Sequence, residues 1–375
     1  MRKPVPLILF ALVGLLGCSE PPYRFGVWAG PTGANVAKMV ENEINYKGGI
    51  DDRRLLARVV YQRAVSFNEL TPDLLALSLD SMATDTMLRA MVMRMTDSVT
   101  EATAQKLESL GIPYLITNPV PQAYTRSHPH AFLLVPTTEE QAEFLAQQVE
   151  LEPTPHRVAL FSLREAHADS LAAALTRALT ARGIKPVFNA TFAQSADAFT
   201  MQAKAEETAT YKPTVILFIG RTPSLYEVYG TFLNRLPKIR VLATDLAETF
   251  HLYGNPGQRY TGVRFVRFLD PRAPDSLTVG LRDRLWGWIG RDELNSEAAV
   301  TYEAIRGLAQ VMNTGAVTRD SLTSALRHGA RMTGLHGPWQ FDAEQRVRRP
   351  MYLAEVQRDT VVVIANSVTG ALARQ

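Results

Sequence analysis

The chain has 375 residues, enough for two domains at roughly 150 residues apiece. Apolar residues make up 46% and charged residues 21%, which supports full hydrophobic cores and argues against wholesale disorder. Forty Lys and Arg stand against 37 Asp and Glu, so the surface carries no electrostatic footprint for nucleic acid, and the lone cysteine excludes an internal disulfide framework or a multi-cysteine metal cage.

Residues 1–17 read as a signal peptide: Arg2 and Lys3 form a basic start, and Leu7 to Leu16 an apolar run. The run is too short for the about 20 residues that span a bilayer. Its end, Leu15-Leu16-Gly17-Cys18, resembles a bacterial lipobox, in which cleavage before the cysteine frees a thiol for lipid attachment. Cys18, the only cysteine, is therefore the expected lipidation site, followed by a short tether at 18–23. Ser19 after the cysteine points to the outer membrane in a two-membraned bacterium.

Beyond the tether, β-branched and apolar runs alternate with helical periodicity. Strands are expected at 24–29, 55–61, 88–95, 113–117 and 131–135, and helices at 34–44, 72–82, 99–110 and 139–149. A second series follows: strands at 157–162, 186–191, 214–219 and 240–244, with helices at 166–182, 199–208 and 225–236. The last third reads as a strand at 262–268, helices at 276–289, 297–312 and 321–330, and strands near 340, 351–356 and 360–364. Continuous apolar strands between amphipathic helices imply parallel sheets covered on both faces, and two such series imply two doubly wound α/β domains.

Several landmarks occur in an order that resembles the type I periplasmic binding proteins, in particular the leucine/isoleucine/valine-binding receptors of ABC transporters. They are Phe25-Gly26-Val27 with Gly30-Pro31-Thr32-Gly33, Glu43-Ile44-Asn45 with Gly48-Gly49-Ile50, and Gly111-Ile112-Pro113. Later come Lys212-Pro213-Thr214-Val215, Tyr302-Glu303-Ala304-Ile305 and Gly334-Leu335-His336-Gly337-Pro338. The resemblance implies two lobes joined by three crossovers, placed near Val135, Val266 and Leu335. Lobe 1 is then 24–135 plus 267–335, and lobe 2 is 136–266 plus 336–375. It also implies a ligand held in the cleft between them, with no catalytic residue and no cofactor.

The same resemblance assigns candidate ligand contacts. In the turn Thr96–Thr100, Ser98 and Thr100 match the family hydroxyls at a helix N-terminus, a place suited to a carboxylate. Asp97 puts a negative charge there, or caps the helix. Asn118 lies in the second contact loop, Thr117–Gln122, where Pro119 and Pro121 have no N–H to give. Losing one charged hydrogen bond of about 1.5–3 kcal/mol would weaken a carboxylate at least tenfold. Trp28 stands near the first turn, Tyr226 or Tyr229 can wall the cleft, and Asp245 falls where the family holds a ligand ammonium; its simpler role is to cap a helix over 246–252. Half of the amino-acid recognition set is thus altered, which points to a ligand with a cation and no free carboxylate, or to another ligand.

No nucleophile elbow, zinc-protease motif or phosphate loop is present, and Gly26, Gly30 and Gly33 are spaced GxxxGxxG, unlike the dinucleotide fingerprint. His128 and His130 flank Pro129 in a surface turn, with no carboxylate close by in sequence to complete a metal site. Two functions remain. One is a lipid-anchored receptor that passes a small polar ligand to an ABC permease. The other is an outer-membrane lipoprotein that uses the fold to regulate a cell-wall enzyme.

Overall fold

The computed structural model describes residues 20–59, 80, 84–95, 101–193, 196–248, 259–289, 294–358, 360–368 and 370–371. The expected lipidation site Cys18, most of the expected helix at 72–82 and the turn holding Asp97, Ser98 and Thr100 lie outside them.

Two sheets organise the chain. The first holds β1 (Tyr23–Trp28), β2 (Leu55–Val59), β3 (Leu88–Met93), β4 (Tyr114–Ile116) and β5 (Ala131–Leu133), all parallel, in the order β2-β1-β3-β4-β5. The parallel part of the second repeats that order: β7 (Phe188–Phe192), β6 (Val158–Leu163), β8 (Val215–Ile219), β9 (Arg240–Ala243) and β10 (Arg264–Arg267). Every residue of β4, β6 and β8 is buried, as strands covered on both faces require.

Helices supply the cover. α1 (Pro31–Tyr46) follows β1, α2 (Glu101–Ser109) precedes β4, and short α3 (Ala123–Ser127) precedes β5. α4 (Thr138–Glu150) packs on α5 (Ala166–Ala181), and α6 (Ala198–Thr210) on α7 (Thr222–Arg235). α4 starts with a full capping box, Thr137 with Glu140, which satisfies two of its free N–H groups. α8 (Ser276–Ile289), α9 (Ser296–Met312) and α10 (Arg319–Arg327) return to the first sheet, α9 lying along α1.

The late strands depart from the parallel pattern. β13 (Tyr352–Gln357) pairs antiparallel with β10, and β14 (Thr360–Asn366) antiparallel with β13. Their inward residues alternate with half-exposed ones, which marks an edge with one wet face.

The chain also leaves the first sheet later than Leu335, where the sequence places the third crossover. β11 (Met332–Gly334) and β12 (Gly337–Trp339) form a hairpin beside α9. Leu133 then takes in the next segment as an edge: its N–H donates to Gln345 and its carbonyl accepts from Val347, both at 2.9 Å. Phe341 packs on Phe132 with ring centroids 4.9 Å apart. Only at β13 does the chain join the second sheet.

Buried ion pairs stand at two of these passages. Arg267, at the end of β10, is fully buried and meets Glu248 at 2.8 Å, itself 3% exposed. Arg267 also donates to the Leu294 carbonyl at 3.0 Å, and Ser296 Oγ accepts from Phe268 N at 2.9 Å. In the other pair, Arg349 meets Glu303 of α9. Glu303 also accepts the Leu335 N–H at 2.6 Å. A Cβ on Gly334 would lie 2.1 Å from a Glu303 oxygen, so only glycine fits there.

Removing one partner of such a pair strands the other charge, at a cost of about 3–5 kcal/mol. Glu303→Ala should therefore lower the urea-unfolding free energy by about that much. The double change Glu303→Met with Arg349→Met should restore most of it. A single variant as stable as the parent would show the pair to be idle.

Candidate functional site

A doubly wound sheet opens a crevice where its strand order reverses, outside the carboxyl ends of the strands. In the first sheet this point lies between β1 and β3, and in the second between β6 and β8. The residues just past those four strands form the candidate site.

On the first sheet, Arg94 follows β3 and donates its backbone N–H to the Trp28 carbonyl at 2.8 Å. Trp28, the last residue of β1, is 3% exposed. Asn118 is 2% exposed, and both ends of its amide engage the backbone of Met95: Oδ1 accepts at 2.6 Å and Nδ2 donates at 2.9 Å. Its side chain therefore fixes the end of β3. Thr117 supports the same strand end through its N–H and its hydroxyl, both donated to the Met93 carbonyl.

The glycines of the first turn serve helix packing. Gly30 N donates to Glu297 Oε1 at 2.5 Å, so a carboxylate from α9 sits at the N-terminus of α1, where the helix dipole favours negative charge. A Cβ on Gly30 would come within 2.8 Å of Glu297 Oε1, and one on Gly33 within 2.6 Å of the Ala29 Cβ.

On the second sheet, Glu165 and Arg221 pair at 3.2 Å across the ends of β6 and β8. Asp245 follows β9, is 6% exposed, and accepts from Gln141 Nε2 of α4 at 2.9 Å. The expected helix cap is not its role. Asp245–Ala247 is a single 3-10 turn whose N-cap is Thr244, and the Asp245 side chain turns to Gln141 instead. Gln141 is fully buried and its Oε1 has no hydrogen-bond partner among the described residues. The same holds for Thr138 Oγ1, one turn earlier on α4, and for Thr244 Oγ1.

His167, at the head of α5, is influenced by charges from both sheets. Burial holds its imidazole below the usual value, while Asp245 and Glu165 pull it up and Arg94 and Arg221 push it down. Arg94 comes from the first sheet; the other three come from the second. Sequence reading passed over Arg94, Gln141, Glu165 and His167. The available signal was position, since Arg94, Glu165 and Arg221 each lie within two residues of a parallel strand's carboxyl end.

Tyr226 is 46% exposed, and its described contacts are to Arg259, which donates to its hydroxyl at 2.6 Å, and to the Tyr260 ring. Tyr229 donates its hydroxyl to the Thr261 carbonyl. His128 and His130 each have a separate carboxylate, Glu101 at 3.2 Å and Glu108 at 2.6 Å. Among the described residues no cluster of three His, Cys, Asp or Glu is placed to hold a metal.

Residues 13–360 match the family model described as periplasmic binding protein. The chain belongs to the periplasmic binding protein family. Its members are extracytoplasmic binding proteins, and the protein is not an enzyme.

Solved structures similar to this periplasmic binding protein include the leucine binding protein LivK from Thermotoga maritima MSB8. It has a TM-score of 0.78 at 15% identity, covering 92% of this chain and 98% of that one. The branched-chain amino acid transporter substrate binding protein LivJ from Streptococcus pneumoniae, in complex with isoleucine, has a TM-score of 0.79 at 15% identity, covering 93% and 100%. An ABC transporter solute binding protein from R. palustris, in complex with benzoate, has a TM-score of 0.78 at 14% identity, covering 95% and 98%. At such identities the likeness is one of fold. No curated protein matches the sequence.

The depressed imidazole of His167 gives a signed pH dependence. Unfolded, it titrates near pH 6.5; folded, it titrates lower. Its contribution to stability is complete above pH 6.5 and is lost as pH falls toward the folded value. The melting temperature should therefore drop between pH 7 and pH 5, and His167→Asn should shrink that drop. An unchanged acid-side slope in the variant would contradict this.

Proposed function

We propose that this periplasmic binding protein closes on a small polar ligand bearing an amine, held in the crevice between its two sheets. The reading rests on one observation above all: the strand-reversal points of both sheets contribute charged groups to a single neighbourhood around His167 and Asp245. Asp245 is the ammonium partner, a carboxylate nearly out of water and held by a neutral amide. Trp28 forms a wall, Asn118 supports it from behind, and Tyr226 lines the approach; Asp97, Ser98 and Thr100, outside the described residues, are candidate contacts by the family resemblance. The two lobes comprise 24–135 with 267–349, and 136–266 with 350–371. Hinge motion at the three passages traps the ligand. Relatives of this fold are described with leucine, isoleucine or benzoate, which fits a ligand of that size.

We further infer that the protein works from a lipid anchor at Cys18 and delivers its ligand to an ABC permease, on the periplasmic side of the outer membrane where the cell has two membranes. Acyl chains bury about 0.8 kcal/mol per methylene, so two or more on one residue hold a protein stably.

Native mass spectrometry of freshly purified protein should show a trapped small molecule. Asp245→Asn should weaken its rebinding at least tenfold, the effect of losing a charged hydrogen bond of about 1.5–3 kcal/mol. Absence of any bound molecule, with no thermal shift from a panel of small amines and co-purification with a cell-wall enzyme, would favour a protein-binding role instead. For the anchor, Cys18→Ala should move the protein from the membrane fraction to the soluble one. Retention on the membrane would refute lipidation there.

A further inference from the structure

We propose that the base of the first sheet carries a seat for the phosphoethanolamine headgroup of a membrane phospholipid, in a cavity beside the chain's path to Cys18. This rests on the lipid-anchor reading above and names the surface on which the anchored protein stands.

The cavity measures about 610 Å³, a volume typical of small-molecule sites. Glu20 and Pro22 line one side of it, and Asp51, Asp52, Arg54 and Leu56 another. Strand register places it in the fold. Leu55, the first residue of β2, pairs with Tyr23, the first of β1. The cavity therefore adjoins the amino ends of these strands, while the crevice lies outside the carboxyl ends.

Chain length brings the bilayer to this end. Glu20 is ion-paired to Arg53, and only Ser19 separates it from Cys18. Two residues reach at most about 7 Å. Acyl chains on Cys18 thus enter the membrane next to the cavity's rim. Tyr46, the last residue of α1, is 93% exposed, and its neighbour Asn45 is bonded to both N and O of Leu55. An exposed tyrosine at this end suits the headgroup region, where ring and hydroxyl each find their own medium. Leu56 adds exposed apolar surface at the cavity itself.

Charge selects the headgroup. Asp51 and Asp52 form the tip of a two-residue hairpin, closed by Ile50 N to Arg53 O at 2.8 Å and Arg53 N to Ile50 O at 3.0 Å. Their φ angles of 50° and 59° are left-handed values that Asn-Gly or Asp-Gly usually fills. Two carboxylates are thus held side by side on a short, closed turn. Arg53 is committed to Glu20 and to the Tyr23 ring. Among the described residues the carboxylates of Asp51 and Asp52 and the guanidinium of Arg54 have no hydrogen bond or ion pair. Phosphoethanolamine carries the opposite set: a phosphate for Arg54, which a guanidinium can grip with two N–H groups, and a primary ammonium for the aspartates. Phosphocholine has no N–H to donate to them. Phosphoglycerol brings its negative charge to two carboxylates with no cation to offset them.

The test uses the chain from residue 18 to Gln375 carrying Cys18→Ala, which has no acyl chains, and measures its partitioning onto vesicles by flotation. The vesicles are phosphatidylcholine alone, or phosphatidylcholine mixed equally with phosphatidylethanolamine or with phosphatidylglycerol. Phosphatidylethanolamine should raise the partition coefficient about tenfold over both of the others, the effect of one charged hydrogen bond. Arg54→Gln, and the pair Asp51→Asn with Asp52→Asn, should each return it to the phosphatidylcholine value. Asparagine tolerates left-handed φ, and melting temperatures report whether each variant is folded. Equal partitioning onto all three vesicles, a preference for phosphatidylglycerol, or unimpaired binding by the variants overturns the headgroup seat. Binding of free glycerophosphoethanolamine by a protein that ignores the vesicles also overturns it, and marks a site for a soluble phosphate ester. Those results leave the anchor standing, because membrane retention of the parent protein in cells is read separately. Retention of Cys18→Ala on the cell membrane, with no preference among the vesicles, ends both.

Discussion

A guanidinium without exposed surface survives in a protein interior only against a carboxylate. Arg267 with Glu248 and Arg349 with Glu303 meet that condition, and they meet it where the chain passes between sheets. Each pair also accepts or donates to the backbone of a passage, at Leu294 and Ser296 in one case and at Leu335 in the other. Polar bonds of fixed geometry thus stand where the chain passes between the sheets, beside a buried apolar cluster that includes residues of both.

The crevice itself is electrically economical. Glu165 and Arg221 cancel each other, the imidazole of His167 is held neutral by burial, and Glu297 is committed to the N-terminus of α1. Among the described residues Asp245 is met by the neutral amide of Gln141. Buried polar atoms on Gln141, Thr138 and Thr244 add acceptors and hydroxyls on the side of Asp245.

Much of the fold was legible in the sequence because parallel strands covered on both faces are written as unbroken apolar runs, and Val158–Leu163 and Val215–Ile219 are buried throughout. The antiparallel strands at the end were less legible, since their orientation depends on partners far away in the chain. The contact that follows Leu335 was illegible for the same reason: nothing local to Gln345 and Val347 announces that Leu133 will bind them. At the site, Asp245 could be found from its place after a strand, whereas Gln141 and His167 sit inside helical patterns that look like ordinary surface positions. Asn118 shows the opposite difficulty: it is at the right place, but its amide is spent on the backbone that carries Arg94.

β1 begins at Tyr23, only a few residues from Cys18, and Glu20 is already pinned to Arg53 on the body of the protein. The strand then runs about 20 Å to its carboxyl end at the crevice. A tether at Cys18 would thus grip the first lobe at the end remote from the mouth. With such an anchor that lobe would be the stator of the device: the mouth would point away from the bilayer, and the second lobe would do the swinging.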